Sequence, residues 1–158
     1  MPIHTIAPVY DGNSRILILG SFPSVRSREE GFYYAHPQNR FWRVLSEVFA
    51  QDLPRTTDEK KAFLLRNRVA LFDVAASCEI FGSADSTIKE VVPNDLSPIL
   101  SASPIEAIFA NGKTAESFYK KYQEKATGIK AIVLPSTSPA NAAWSLDRLV
   151  EEWKIIKE

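Results

Sequence analysis

The sequence is poor in the residues that bind metals and form disulfides. Its 158 residues include one cysteine, Cys78, and two histidines, His4 and His36. A single cysteine excludes an internal disulfide and a cysteine-rich zinc or iron–sulfur site. The two histidines lie far apart in the chain, without the paired spacing that a zinc site needs. We therefore expect no metal.

The sequence also lacks net charge and long apolar runs. Nineteen basic residues balance nineteen acidic ones, so no overall positive field attracts nucleic acid, and an anionic partner must be held by local groups. No apolar run approaches the ~20 residues that span a bilayer. The start, "MPIHTIAPVYDGNS", has no basic-then-apolar signal pattern. These absences, with the lone cysteine, predict a soluble cytoplasmic protein without a membrane partner.

Apolar residues make up 45% of the chain, which suits one domain spanning residues 1–158. Four short apolar runs predict buried strands, and the segments between them, including residues 87–102, have helix-like patterns. Continuous rather than alternating apolar strands, divided by helices, indicate a parallel sheet covered on both faces. We predict an α/β fold of three layers, α/β/α, with a central four-stranded parallel sheet. The predicted strands lie within residues 15–21, 69–75, 105–112 and 130–136.

Ligands of such sheets bind beyond the carboxyl ends of the strands. Polar and aromatic residues follow each predicted strand, but the chain has no Ser-His-Asp order for nucleophilic catalysis. The segment "GSFPS" after the first strand lacks the lysine and glycine spacing of a phosphate-binding P-loop, and no GxGxxG motif follows that strand. We therefore expect no nucleotide cofactor. A site at this edge is suited to recognising a flat molecule.

Three segments resemble motifs of the uracil-DNA glycosylase superfamily. They are "GSFPS" (residues 20–24), "FYYAHPQNRFW" (32–42) and "LPSTSPANA" (134–142). The similarity is closest to the hypoxanthine-DNA (deoxyinosine) glycosylase family and covers nearly the whole chain in the same order. It implies a monofunctional repair enzyme that flips a deaminated base, hypoxanthine first, out of DNA and hydrolyses its N-glycosidic bond. The "AHPQNRFW" text also resembles mismatch-specific uracil glycosylases, which remain an alternative.

The chain departs from the superfamily at two positions. Phe22 stands where the first motif usually has an acidic residue or Asn, and Leu134 where the last motif usually has His or Asn. The resemblance to the hypoxanthine family assigns the catalytic group to Asn39. An amide can orient water through its carbonyl or hold the base through its NH₂ group. Asn39 also precedes an apolar-periodic run, where it would cap a helix.

The resemblance also implies a base pocket. Tyr34 falls at the position of the stacking aromatic, and Phe22 is expected to line the same pocket, although both also suit ordinary core packing. Asp73 stands where classical uracil glycosylases use an Asn to read uracil. A carboxylate only accepts hydrogen bonds, so Asp73 suits the N1–H of hypoxanthine and leaves the neighbouring carbonyl oxygen to another donor, either backbone N–H groups or Asn111. Asp73 therefore argues against the classical uracil pocket but does not by itself select hypoxanthine. The rival roles are a structural acceptor for Asp73 and a turn residue for Asn111.

The last motif resembles the loop that enters the minor groove beside the flipped nucleotide. Its hydroxyls are expected to bind phosphates, and its small apolar residues to form a wedge between bases. Three arginines are expected to add local positive charge. The predicted DNA-binding residues are Ser24, Ser136, Thr137, Ser138, Pro139, Ala140 and Asn141, and the arginines are Arg26, Arg28 and Arg40.

Other residues receive structural roles. His36 is expected to be a buried histidine with its hydrogen bonds satisfied. Lys113 is the only nearby amine for a lyase reaction, but a lysine at a helix start is ordinarily solvated. The three tryptophans lie in helical patterns and are expected in the core: Trp42, Trp144 and Trp153. The partner is damaged DNA, double- or single-stranded, with no obligate protein partner; an inactive DNA- or base-binding member of the fold is the other alternative.

Overall fold

The computed structural model describes residues 6–79 and 89–157. Its strands are β1 (Ile16–Gly20), β2 (Val69–Asp73), β3 (Ala75–Glu79), β4 (Lys89–Pro93), β5 (Ala107–Asn111) and β6 (Ala131–Leu134). Its helices are α1 (Val25–Glu30), α2 (Phe41–Val48), α3 (Thr57–Arg66), α4 (Ser97–Ala102), α5 (Lys113–Tyr122), α6 (Glu124–Thr127) and α7 (Leu146–Trp153), followed by a 3₁₀ turn, Lys154–Lys157. No helix in the described parts of the chain is long and apolar enough to cross a membrane.

The main sheet has four parallel strands in the order β2-β1-β5-β6. This arrangement, flanked by helices, confirms the predicted α/β/α fold. Gly20 pairs with Asp73, and Asn111 pairs with Leu134, so the last residues of neighbouring strands lie side by side. The register therefore brings the ends of the strands together at one edge of the sheet.

Burial on both faces explains the continuous apolar strands. Leu17, Ile18 and Leu19 are fully buried, and every residue of β2 is buried. Trp42 on α2 and Trp153 on α7 pack at right angles against the ring of Phe41, with ring centroids 4.9 and 5.9 Å from it. These contacts fix α2, which begins just after Asn39, against the terminal helix.

The helical prediction for residues 87–102 is wrong over Lys89–Pro93. That segment is strand β4, which pairs antiparallel with β3 in a separate two-stranded sheet. The β-branched pair Val91 and Val92 favours an extended strand, and the α-helix is limited to Ser97–Ala102, with Pro98 in its first turn. The first two residues of the predicted segment, 87 and 88, lie outside the described residues.

Candidate active site

A cavity of about 670 Å³ opens at the carboxyl ends of the parallel strands. Its lining combines residues that the sequence spreads over more than a hundred positions. Among the described residues, Pro139 is the one predicted site residue outside this lining. The predicted residues that line the cavity are Phe22, Ser24, Tyr34, Asn39, Asp73, Asn111, Ser136, Thr137, Ser138, Ala140 and Asn141.

Asn39 is held by two hydrogen bonds to its side-chain carbonyl. Oδ1 accepts the backbone N–H of Phe41, the first residue of α2, at 3.0 Å and the hydroxyl of Thr137 at 2.9 Å. These two donors engage both lone pairs of the oxygen. The N-cap residue of α2 is Arg40, not Asn39 as predicted, and that helix has no side-chain capping hydrogen bond. Nδ2 of Asn39 has no hydrogen-bond partner among residues 6–79 and 89–157, so the amide donor is the group left for a ligand.

Thr137 and Asn111 bind each other twice. The backbone N–H of Thr137 donates to Asn111 Oδ1 at 3.1 Å, and Asn111 Nδ2 donates to Thr137 Oγ1 at 3.0 Å. Thr137 is fully buried, with an exposed fraction of 0%. This burial contradicts the expected contact between its hydroxyl and a DNA phosphate. The NH₂ group of Asn111 has two hydrogens, and only one of them is donated to Thr137. The other remains for a base.

Asp73 and Tyr34 approach the backbone at Gly20. Asp73 ends β2 and is only 3% exposed. A Cβ atom at position 20 would lie 2.3 Å from Asp73 Oδ1 and 2.9 Å from the Tyr34 hydroxyl. Only glycine at this position leaves room for both groups where they are.

The neighbouring phenol of Tyr33 stays protonated. Burial, reinforced by the nearby carboxylate of Asp73, raises the pKa of Tyr33 well above its usual range. Its hydroxyl donates to the carbonyl of Ala7 at 2.9 Å. Tyr33 therefore anchors the segment before β1 beneath the cavity and adds no titratable group at neutral pH.

Tyr34 has the geometry of a supported platform. Its ring stacks on Phe41 with centroids 4.0 Å apart and planes inclined by 18°. Its φ of 52° lies in the left-handed region, which is uncommon for a bulky residue and typical of functional sites. Phe41 covers one face of the ring, and the half-buried ring lines the cavity.

Phe22 forms an apolar wall of the cavity. It is 9% exposed and packs with Ala75. The guanidinium of Arg28 lies 5.4 Å from the centre of its ring. Arg26 instead pairs with Glu30 at 2.8 Å on the exposed side of α1. Of these two arginines, Arg28 is therefore the one positioned against a residue of the cavity wall.

Arg40 binds backbone carbonyls of the loop formed by residues 135–144. Its guanidinium donates to the backbone carbonyls of Ser138 and Asn141, each at 3.1 Å, and to that of Trp144. Its backbone N–H donates to the carbonyl of Thr137 at 3.1 Å. The guanidinium therefore fastens this terminal loop, residues 135–144, to the start of α2. Because carbonyls carry no net charge, they leave the positive charge of Arg40 in place, and its expected effect on DNA stays a prediction.

The terminal loop also contains its own hydrogen bonds. Ser136 Oγ accepts the backbone N–H of Ser138, and Ser138 Oγ accepts that of Ala140, both at 3.1 Å. Asn141 Nδ2 donates to the carbonyl of Ser136 at 3.0 Å. The two serine hydroxyls accept in these bonds and retain their own hydrogens for a phosphate. Ala140 is exposed at the tip of the loop.

Ser24 has a structural role as the N-cap of α1. It accepts the backbone N–H of Ser27, and its hydroxyl donates to Ser27 Oγ at 3.1 Å. Ser24 also lines the cavity in a half-buried position, and its contact with DNA stays a prediction. His36 is half-buried rather than buried, and its Nδ1 accepts the backbone N–H of Gln38 at 3.1 Å. Lys113 is exposed at the edge of the cavity.

Trp144 is an aromatic residue of the cavity lining that was not among the predicted site residues. It lies in the turn before α7, not within the helix, and lines the cavity in a half-buried position. The guanidinium of Arg148 stands 4.1 Å from the centre of its ring. Ser145 caps α7 through the N–H of Arg148. A serine that begins a helix was the available signal that Trp144 precedes it.

The sequence of the chain is similar to that of known proteins over most of its length. Residues 7–158 match the sequence profile of the Uracil DNA glycosylase superfamily. The chain belongs to the uracil DNA glycosylase superfamily. A Methanosarcina acetivorans protein named hypoxanthine DNA glycosylase is 36% identical over 150 residues, which are 94% of this chain and 93% of that protein. A Methanosarcina barkeri protein of the same name is 34% identical over 136 residues, 85% of each.

A solved structure agrees with this assignment to the superfamily. The chain matches a solution NMR structure from Methanosarcina acetivorans, provisionally described as a uracil DNA glycosylase, with a TM-score of 0.84 and 33% identity. The match covers 99% of this chain and 97% of that one. Phe22 and Leu134, at the two positions where superfamily members usually carry polar catalysts, are both buried in the wall of this cavity.

The contact between Arg40 and the terminal loop gives a first testable prediction. Replacing Arg40 with glutamine removes charge-assisted hydrogen bonds to three carbonyls and should lower the free energy of unfolding by about 1.5–3 kcal/mol. Hydrogen exchange at the amides of Asn141 and Trp144 should accelerate more than the global change explains. Arg26→Gln, which breaks only an exposed ion pair, is the matched control. Unchanged exchange in the loop would refute the role of Arg40.

Proposed function

We propose that this protein is a monofunctional DNA glycosylase of base excision repair that releases hypoxanthine from deoxyinosine in DNA. The two Methanosarcina relatives named hypoxanthine DNA glycosylase support this proposal, since each resembles the chain over most of both lengths. The observation that carries it is the pairing of functional groups in the cavity. A buried carboxylate, Asp73, accepts hydrogen bonds, and the amide of Asn39 donates them.

Hypoxanthine matches this pair of groups. Its N1–H needs an acceptor, which the carboxylate of Asp73 supplies, whereas its O6 and ring nitrogens need donors. Asn39 Nδ2 supplies one donor, and the remaining N–H of Asn111 supplies another. A carboxylate offers no donor to the O4 of uracil, whereas the Asn of classical uracil glycosylases does. The O6 of hypoxanthine needs a donor from elsewhere in the same way, so Asp73 argues against the classical uracil contact without by itself selecting hypoxanthine.

The reaction requires little chemistry from the protein. The deoxyinosine is flipped out of the duplex, and the base stacks on the ring of Tyr34. The bond between C1′ and the base breaks with its electron pair going to hypoxanthine, while positive charge develops on the sugar. Water adds to C1′, and its proton is ultimately taken up by the departing base. Asn39 contributes by donating to the base as negative charge develops on it.

The terminal loop is proposed to face the DNA minor groove. Ala140 at its exposed tip and the adjacent Pro139 would form the wedge that fills the space left by the flipped base. The hydroxyls of Ser136 and Ser138 would donate to phosphates. We further propose that one domain carries this activity in the cytoplasm, on double- or single-stranded damaged DNA, without an obligate protein partner.

A panel of oligonucleotides tests the proposal. Duplexes and single strands that contain hypoxanthine, uracil, xanthine or ethenocytosine are incubated with the protein in EDTA, and alkali-labile abasic sites are scored. We expect the fastest cleavage with hypoxanthine. Faster cleavage of mismatched uracil would identify a mismatch-specific uracil glycosylase instead. Binding without product from any oligonucleotide would leave an inactive DNA-binding member of the fold.

The stacking role of Tyr34 gives a second prediction. Tyr34→Ala should lose about 1–3 kcal/mol of stacking with the flipped base, equivalent to roughly 5- to 150-fold in its affinity for the pocket. Fluorescence of 2-aminopurine placed beside deoxyinosine reports this flipping. Tyr34→Phe is the matched control, because it keeps the ring and its contact with Phe41. Normal flipping and excision by Tyr34→Ala would remove Tyr34 from the site.

A further inference from the structure

Three side chains from distant parts of the sequence form a directed hydrogen-bond chain. Asn111 Nδ2 donates to Thr137 Oγ1 at 3.0 Å, and the Thr137 hydroxyl donates to Asn39 Oδ1 at 2.9 Å. Asn111 ends β5, Thr137 lies in the terminal loop, and Asn39 lies two residues before Phe41, where α2 begins. The chain therefore connects the central sheet to the amide that faces the cavity.

Backbone donors fix the direction of this chain. The N–H of Thr137 donates to Asn111 Oδ1, so Nδ2 of Asn111 must face the threonine hydroxyl. That hydroxyl accepts from Asn111 and directs its own hydrogen to Asn39. The N–H of Phe41 requires an acceptor from Asn39, so Oδ1 occupies the same side. A reversed Asn39 amide would place its NH₂ group against two donors.

We infer that Thr137 is a positioning residue that orients the amide of Asn39. Its buried hydroxyl, itself oriented by Asn111, holds Asn39 so that Nδ2, and not Oδ1, faces the flipped base. The inference rests on the proposed function and adds two residues to it. It also assigns Asn39 to stabilisation of the leaving base, because the carbonyl that would have positioned water is engaged by Phe41 and Thr137.

The burial of Thr137 makes this role specific. The residue is fully enclosed, so its hydroxyl touches neither solvent nor a DNA phosphate. Its backbone carbonyl accepts the N–H of Arg40, which holds the threonine close to the start of α2. The same short segment thus carries both the expected minor-groove wedge and the hydroxyl that orients Asn39.

Substitutions of Thr137 test the inference. Thr137→Val keeps the shape and removes the hydroxyl, so single-turnover excision of hypoxanthine should slow about 10- to 100-fold with little change in the Kd for duplex DNA. Thr137→Ser restores the hydroxyl and should recover most of the rate. Thr57→Val, on the exposed start of α3, is the matched control. Parental rates in folded Thr137→Val, or a Thr137→Ser variant as slow as Thr137→Val, would overturn the inference.

A double variant separates positioning from simple weakening of the fold. If Thr137 acts through Asn39, Thr137→Val should cause no further loss in an Asn39→Ala background. If the double variant instead lost activity by the product of the two single-variant losses, the inference would be overturned. Asn111→Asp provides an independent variant should Thr137→Val fail to fold. It keeps the acceptor for the N–H of Thr137 and loses the donor to its hydroxyl. Because Asn111 is also proposed to donate to the base, the readout is the side-chain NH₂ resonance of Asn39 in ¹⁵N-labelled protein; this resonance should shift, and an unchanged resonance would count against the chain.

A spectroscopic readout does not depend on activity. In ¹⁵N-labelled protein, Thr137→Val should shift the side-chain NH₂ resonances of Asn39 and accelerate their exchange, whereas Thr57→Val should leave them unchanged. Unchanged Asn39 resonances in Thr137→Val would overturn the inference. A parental protein that excises no base would refute the proposed function alone, since this measurement would still report whether Thr137 holds the amide.

Discussion

Replacing Asn39 with alanine is expected to slow single-turnover excision of hypoxanthine by about 10²–10³-fold, the usual loss when a preorganised donor to developing charge is removed. Two hydrogen bonds to Oδ1 already hold the side chain in place. The donor is therefore oriented before the substrate arrives and needs no rearrangement in the transition state. Quench-flow or manual quench kinetics with excess enzyme measure this step without interference from slow product release.

The same substitution leaves the N–H of Phe41 without its acceptor, so stability must be measured beside the rate. Loss of this hydrogen bond should destabilise the protein by about 0.5–1.5 kcal/mol and leave it folded. Asn13→Ala, in an exposed turn, controls for the loss of an asparagine away from the cavity. Excision at the parental rate by folded Asn39→Ala would show that another residue carries the reaction.

Replacing Gly20 with alanine should reduce excision by roughly 10²-fold, as expected when a binding group is displaced by about 1 Å. The added Cβ would lie 2.3 Å from Asp73 Oδ1 and 2.9 Å from the Tyr34 hydroxyl. A carbon and an oxygen that are not bonded cannot lie 2.3 Å apart. The carboxylate of Asp73, which is proposed to accept the N1–H of hypoxanthine, must therefore move. The stacking platform is pushed from the same side.

Stability distinguishes this local displacement from general damage. Overpacking beside a buried carboxylate should lower the free energy of unfolding by about 1–3 kcal/mol, measured by urea denaturation. Gly12→Ala is the matched control, because its Cβ would have only the carbonyl of Ala102 nearby, at 3.8 Å. Parental excision by Gly20→Ala would mean that the position of Asp73 does not govern the reaction.

The sequence predicted the central sheet well because burial on both faces leaves continuous apolar runs. The pairing of β3 with β4 escaped detection because only three residues separate β4, Lys89–Pro93, from α4, Ser97–Ala102. A short apolar stretch such as Val91–Val92 fits a strand or a helix equally well until a partner strand is known. The pairing between β3 and β4 makes this segment a strand, and that pairing is not visible in local periodicity.

The site was predicted as a group of residues but not as a network. Ends of parallel strands must converge, so the joint placement of Asp73 and Asn111 followed from the fold class. Which polar atoms remain free could not be derived, because it depends on distances between loops far apart in sequence. The buried hydroxyl of Thr137 and the engaged guanidinium of Arg40 both looked like surface groups suited to phosphate.

Single-turnover excision of hypoxanthine by Asn39→Asp tests the central claim most directly. Aspartate keeps an oxygen for the N–H of Phe41 and the hydroxyl of Thr137, and it replaces only the free NH₂ group with an acceptor. If Asn39 donates to the leaving base, the variant should be folded as stably as the parent and slower by about 10²–10³-fold. A folded Asn39→Asp variant that releases hypoxanthine at the parental rate would contradict the account.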